Sequence, residues 1–194
     1  MEITVRNLTK SYGGKRVLQN VSFTAGAGVT CVMAPSGSGK TTLLRLVLGL
    51  ESPDSGEVLV PAGCRFAAVF QEDRLLEGLD AMGNLYFVLG ADLERPAALA
   101  LLEELGLGNV GDKPIRAYSG GMKRRLALAR ALLVPSDALV LDEPFTGLDG
   151  DNRLRALECV RRAAADKPVL LVTHDSRDAA NLAARRVKLE PETV

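Results

Sequence analysis

Three clusters of residues in this chain have the types and spacing for chemistry on a phosphorylated ligand. The first is Ala34-Pro35-Ser36-Gly37-Ser38-Gly39-Lys40-Thr41-Thr42. Glycines in such a run let backbone N–H groups converge on phosphate oxygens, and a helix beginning at Lys40 would turn its positive end toward the same anion. Lys40 would reach the β- and γ-phosphates, and the Thr41 hydroxyl would ligate Mg²⁺. Ala34 stands where the phosphate-loop pattern has its first glycine. It precedes Pro35, which biases it to extended geometry. The second cluster is Asp142-Glu143, two carboxylates ending the apolar run Leu139-Val140-Leu141. If that strand lies beside the one feeding the phosphate loop, Asp142 meets the Mg²⁺ shell and Glu143 can take a proton from attacking water. The third is Ser119-Gly120-Gly121, ahead of the basic and apolar stretch Lys123 to Val134. A serine and two glycines opening a helix form another anion-binding surface. One chain then has two phosphate sites for one nucleotide. A symmetric dimer resolves this, each chain's second site capping the nucleotide of its partner.

The elements that position these residues can be read from patterning. Residues 2–11 and 16–24 alternate loosely around a Gly13-Gly14 turn, and 28–33 form a compact apolar strand leading into the phosphate loop. A leucine-rich helix follows from Lys40 to Leu50. Pro53 to Gly56 signals a turn, with strands expected at 57–60 and 65–70. From about 72 to 118 leucine- and alanine-rich helical stretches alternate with breakers such as Gly90, Pro96 and Gly106. Beyond lie a helix over 120–133, a strand at 137–142, a helix at 149–165, a strand at 168–173, a helix at 175–184 and a strand at 185–189. Buried strands alternating with helices predict an α/β fold. It has a phosphate-loop NTPase core with a mainly parallel sheet, an N-terminal antiparallel β portion and an inserted helical subdomain. The expected division of this single domain is 1–71 with 135–194 for the core and about 72–134 for the helical part.

With 24 basic and 24 acidic residues among 194, the chain lacks the cationic excess of a generic nucleic-acid binder or an anionic-lipid binder. Arg124, Arg125 and Arg130 are therefore expected on a solvated helix face. No apolar run is long enough for a membrane helix, and the N-terminal residues do not form a secretory leader. Cys31, Cys64 and Cys159 fit neither a disulfide framework nor a zinc cluster, and Cys31 reads as a core residue. The expectation is a soluble, cytosolic and reduced chain.

Taken in order, the motifs resemble those of the nucleotide-binding subunits of ATP-binding cassette (ABC) transporters. GSGKTT resembles Walker A, and Gln71 in VFQEDRLL the Q-loop. YSGGM before KRRLALARALL resembles the signature, with Tyr118 and Met122 in place of its commonest leucine and glutamine. LVLDEP resembles Walker B. Gly147-Leu148-Asp149, with Arg153 four residues on, resembles the D-loop, and His174 in VTHD the switch histidine. The resemblance implies hydrolysis of Mg²⁺-ATP between two cassettes, this chain and a second copy or a homologue. The nucleotide would be held by Ser36, Gly37, Ser38, Gly39, Lys40, Thr41 and Thr42. Tyr12 would stack on adenine, and Gln71 would join Thr41 and Asp142 at the metal, Asp142 through water. Ser119, Gly120 and Gly121 would touch the opposite γ-phosphate, His174 the γ-phosphate of its own chain, and Asp149 would help join the halves. It further implies integral membrane permease subunits, with a solute-binding protein for an importer, and a place on the cytoplasmic face of the cell membrane. VFQEDRLL and DEPFTGLD look most like bacterial importers of the nitrate, sulfonate and taurine group. The alternatives are a soluble cassette ATPase serving assembly or regulation without a permease, and a small phosphate-loop kinase, which would have no use for SGG.

Overall fold

The computed structural model describes residues 1–35 and 37–189. Two strands, β1 (Ile3–Tyr12) and β2 (Lys15–Ala25), form an antiparallel hairpin. Gly13 and Gly14 both have positive φ, 55° and 81°, the requirement of a two-residue turn matched to strand twist. The third strand of this sheet, β4 (Ser55–Leu59), pairs antiparallel with β1. It begins two residues before its expected start. Gly56 permits this, because a Cβ there would lie 2.4 Å from the Arg6 carbonyl oxygen.

The second sheet is parallel throughout, in the order β5 (Phe66–Val69), β6 (Ala138–Asp142), β7 (Pro168–Val172), β3 (Gly28–Met33), β8 (Arg185–Lys188). Every residue of β6 and β7 is buried, as expected of strands covered on both faces. Their side chains alternate between two cores. Leu139, Leu141, Val169 and Leu171 face helices α2 (Ala81–Leu89), α3 (Arg95–Glu104), α4 (Gly120–Leu133) and α5 (Gly150–Ala163). Val140, Leu170 and Val172 face α1 (Lys40–Val47) and the antiparallel sheet, through Leu43, Leu46, Ile3 and Leu18. Cys31 is buried in the first core, and burial pushes its thiol up to about 11.

One expectation about this sheet fails. The strand carrying Asp142 does not lie beside the strand feeding the phosphate loop, because β7 stands between β6 and β3. The carboxylates still reach the loop, since parallel strands all end on one edge of the sheet. Helix starts on that side are capped by short polar side chains. Ser119 Oγ accepts from Met122 N at 3.3 Å at the head of α4, and Asp149 Oδ1 from Asn152 N at 3.0 Å at the head of α5. Each such cap is worth about 1 kcal/mol. Asp175 caps the short helix α6 (Ser176–Asn181) in the same way.

Candidate nucleotide site

The phosphate loop turns between β3 and α1. Ala34 keeps a negative φ, whereas Gly37 and Gly39 take φ of 80° and 84°. Gly39 is doubly constrained, because a Cβ there would sit 2.7 Å from the Val17 carbonyl oxygen and 2.8 Å from the Leu18 side chain. Lys40 folds over the loop, its Nζ donating to the carbonyls of Ala34 at 2.6 Å and Pro35 at 2.9 Å. The ammonium therefore stands at the mouth of the turn. Ser38 Oγ closes the loop from inside, donating to the Pro35 carbonyl at 2.6 Å.

A cleft of about 360 Å³ opens beside this loop, lined by Gly37, Gly39, Lys40, Thr41, Thr42, Gln71, Asp142, Glu143 and Val17. Val17, on β2, carried no signal of a binding role in the sequence. Thr41 Oγ1 donates to Asp142 Oδ2 at 3.1 Å across the cleft floor. Asp142 is buried, and that burial raises its carboxyl above the ordinary value; the Thr41 hydrogen bond opposes the rise and the charge of Glu143 adds to it. A buried acid facing a hydroxyl is suited to a hard cation, whose charge would offset the desolvation.

Glu143 follows on a backbone with φ of 50°, held by a hydrogen bond from its N–H to the Val172 carbonyl at 2.9 Å. A non-glycine residue in this region costs on the order of 1–3 kcal/mol. Thr146 Oγ1 donates to Glu143 Oε2 at 3.3 Å. His174 lies against the same carboxylate, with Nδ1 2.9 Å from both oxygens. Its side chain is 70% exposed and that of Glu143 only 17%. His174 also lines a second cavity of about 490 Å³ with Ala34 and Pro35 on the other side of the loop.

Gln71 sits on the loop after β5, and that loop is gripped from α4. Arg124 Nη1 donates to the Phe70 carbonyl at 2.7 Å and Nη2 to the Gln71 carbonyl at 2.5 Å, and the guanidinium pairs with Asp73 at 3.1 Å. Arg130 donates to the carbonyls of Asp73 and Arg74, both at 2.8 Å. Arg125 reaches the other way, to the Leu105 and Gly106 carbonyls and to Asn152 Oδ1. These arginines do not form a solvated face. Arg124 and Arg125 are buried, their planar forks satisfying carbonyls that the loops leave unpaired.

The remaining predicted residues do not line the cleft, although Tyr12 lies close to Thr42, which does. Tyr12 is 44% exposed. Its hydroxyl donates to Glu51, which also pairs with Arg45 at 3.2 Å, and the Glu51 hydrogen bond is the main cause holding the phenol above its usual range. Ser119 and Gly120 are exposed at the head of α4. Gly121 lies next to the Gly147 carbonyl, 3.1 Å from where a Cβ would stand, so the SGG segment and the Gly147–Asp149 segment are neighbours. Asp149 lines a separate cavity of about 550 Å³ with Asn152 and Arg155. Ser36 lies outside the described residues. The chain thus carries two constellations. One holds the phosphate loop, Gln71, Asp142, Glu143 and His174, and the other holds SGG and Asp149.

Comparison with known proteins places this geometry. A family model described as ABC transporter matches residues 18–146. The chain is 44% identical over 192 residues to the aliphatic sulfonates import ATP-binding protein SsuB 1 of Nocardia farcinica, spanning 97% of this chain and 78% of that one. It is 39% identical over 205 residues to the Nod factor export ATP-binding protein I of Burkholderia orbicola, spanning 97% and 67%. Among solved structures it resembles the dimeric post-hydrolysis state of the ATP-binding cassette MJ0796 bound to ADP and Pi. The TM-score is 0.86 at 26% identity, covering 97% of this chain and 94% of that one. The chain belongs to the ABC transporter family and is one of its ATP-hydrolysing cassettes.

Proposed function

We propose that two copies of this cassette close around ATP and drive import of a small oxyanion-type solute, an aliphatic sulfonate or a close relative, through a separate membrane permease. The observation that carries the two-chain reading is the separation of the two constellations: Ser119 and Gly120 stand exposed and do not line the phosphate-loop cleft. In the closed pair Ser119, Gly120 and Gly121 of one chain meet the γ-phosphate held by the other, and Asp149 lies at the seam. The dimeric MJ0796 cassette supports the same arrangement. Import and the solute class are supported by the sulfonate-importer relative at 44% identity.

Within one chain the loop N–H groups from Ser36 to Thr42 and the Lys40 ammonium hold the phosphates, and Tyr12 offers its exposed ring to adenine. Thr41, Asp142 and Gln71 supply hard oxygen donors for Mg²⁺, with Asp142 acting through water. Bound there, Mg²⁺ would neutralise charge on the phosphate oxygens. Glu143 takes the proton of the attacking water, and His174 contacts the γ-phosphate while bracing Glu143. Residues of about 72–134 act as a helical unit on a core of 1–71 and 135–194. The neighbouring aromatic side chains of α2, Tyr86 at 63% and Phe87 at 69% exposure, make an apolar surface of the kind that protein partners cover. No helix among the described residues is long and apolar enough to cross a membrane; a permease on a separate chain, with the cassette on the cytoplasmic membrane face, is the arrangement that the likeness to import ATP-binding proteins supports. A solute-binding protein completes the importer.

Affinity purification of the chain from its native membranes tests the reading. Recovery of a polytopic membrane protein, with ATP turnover stimulated when that complex meets a sulfonate-loaded binding protein, is the expected result. An active ATPase recovered without any membrane protein would favour the assembly or regulatory role instead.

A further inference from the structure

Two segments that the site needs meet at one side chain, Arg153. It lies in the first turn of α5, its N–H donating to the Asp149 carbonyl at 2.8 Å. Its guanidinium points the other way. Nε donates to Asp178 Oδ1 at 2.8 Å, and Nη2 donates to Asp178 Oδ2 at 2.8 Å and to Asp175 Oδ2 at 2.7 Å. Asp178 is 1% exposed. The same Asp178 oxygen accepts from Thr173 Oγ1 at 3.1 Å, and Thr173 Oγ1 in turn accepts from the Asp175 N–H at 3.1 Å. The residues on both sides of His174 are therefore tied to Arg153, while the His174 imidazole is mostly exposed. Its side-chain contact is with Glu143. The backbone of the turn sets where the imidazole stands, and Arg153 sets the backbone.

We propose that Arg153 is a positioning residue for ATP hydrolysis, holding the His174 turn against Glu143 and fastening it to the Asp149 segment. The proposal rests on the reading that Glu143 and His174 act on the nucleotide. Geometry distinguishes this from a simple ion pair. A bidentate fork on one carboxylate with a third bond to another fixes direction as well as distance, which a lysine ammonium cannot reproduce. Arg177 grips Asp175 at 2.8 Å but shows no bond to Asp178, so Arg153 joins the two aspartates. Through this link a change at Asp149 on closure of the dimer would reach His174 without passing through the nucleotide.

Truncating Arg153 outright would leave a buried carboxylate unpaired and could unfold the turn, so the informative variants are Arg153→Lys and the neutral pair Arg153→Met with Asp178→Asn. His174 is the chain's single histidine, so its ring nitrogens give one uncrowded ¹⁵N spectrum, readable without nucleotide. In both variants the ring signals should move toward those of a freely exposed imidazole. ATP turnover should fall about 10- to 100-fold, the scale of a misplaced catalytic group, with KM changed less than about twofold. In a His174→Ala background Arg153→Lys should cost less than about twofold more, because the two act as one unit. Unchanged ring signals, or an equal loss with and without His174, would overturn the proposal and leave Arg153 a fold residue. The spectral arm does not depend on hydrolysis. A wild-type chain without ATPase activity would count against the functional reading while the ring signals still decided the role of Arg153.

Discussion

The His174 imidazole faces the Glu143 carboxylate symmetrically, Nδ1 lying 2.9 Å from each oxygen, and Glu143 meets it from a left-handed backbone. The contact joins the ends of two neighbouring parallel strands, β6 and β7. A strained backbone retained at such a point places the carboxylate beside the phosphate loop. Replacing it isolates its chemistry from its geometry. Glu143→Gln should lower steady-state ATP hydrolysis by ~10²–10⁴, the usual contribution of a general base, while nucleotide affinity measured by equilibrium binding stays near wild type. A variant keeping half of wild-type turnover would remove Glu143 from that role.

Burial holds the Asp142 carboxyl above its ordinary value, with Glu143 pushing the same way and Thr41, Lys40 and Arg124 opposing. The sign follows from proton counting. As pH rises from about 4, the unfolded chain releases this proton first. Folding stability is therefore lost as pH rises through the folded-state value, and the penalty persists at neutral pH. Asp142→Asn removes the ionisation. In nucleotide- and metal-free buffer the melting temperature of the variant relative to wild type should increase between pH 4 and pH 7.5. The shift is about 2–4 °C for each 1 kcal/mol relieved in a chain of this size. A difference independent of pH would contradict the desolvation argument.

The phosphate loop supplies a matched pair of substitutions. Ala34 has negative φ, so Ala34→Gly relieves no strain and should change ATP affinity by less than about threefold. Gly39→Ala places a methyl group against Val17 and Leu18 at positive φ. It should abolish detectable ATP binding and destabilise the fold by about 1–3 kcal/mol. Isothermal titration with ATP and thermal melts read both. A tenfold gain in affinity from Ala34→Gly would contradict the backbone geometry described for residue 34.

Much of this molecule is legible in its residues, and the reasons are local. The phosphate loop and the strands expected at 28–33 and 168–173 each announce themselves by short-range pattern. What the sequence hides is long-range pairing. Nothing in Leu139 to Asp142 says that β7 separates it from β3, because both strands are uniformly apolar and either order would bury them. The arginines of α4 mislead for a related reason. A basic helix looks solvated until the loops it caps, at Phe70–Arg74 and Leu105–Gly106, are folded against it. Val17 gave no signal, since a β-branched residue on a hairpin looks alike in a binding cleft or on a surface.

The central claim is that Ser119 completes the site of another chain, and Ser119→Arg tests it most directly, with nucleotide affinity and hydrolysis measured side by side on one preparation. Ser119 lies at the exposed head of α4 and does not line the phosphate-loop cleft, so a bulky cation there leaves the chain's own Lys40 and Thr41 in place. ATP binding should remain within about threefold of wild type, while hydrolysis falls by about 10² or more as closure of the pair is blocked. Loss of binding together with hydrolysis would place Ser119 in the site or fold of its own chain and contradict the two-chain account.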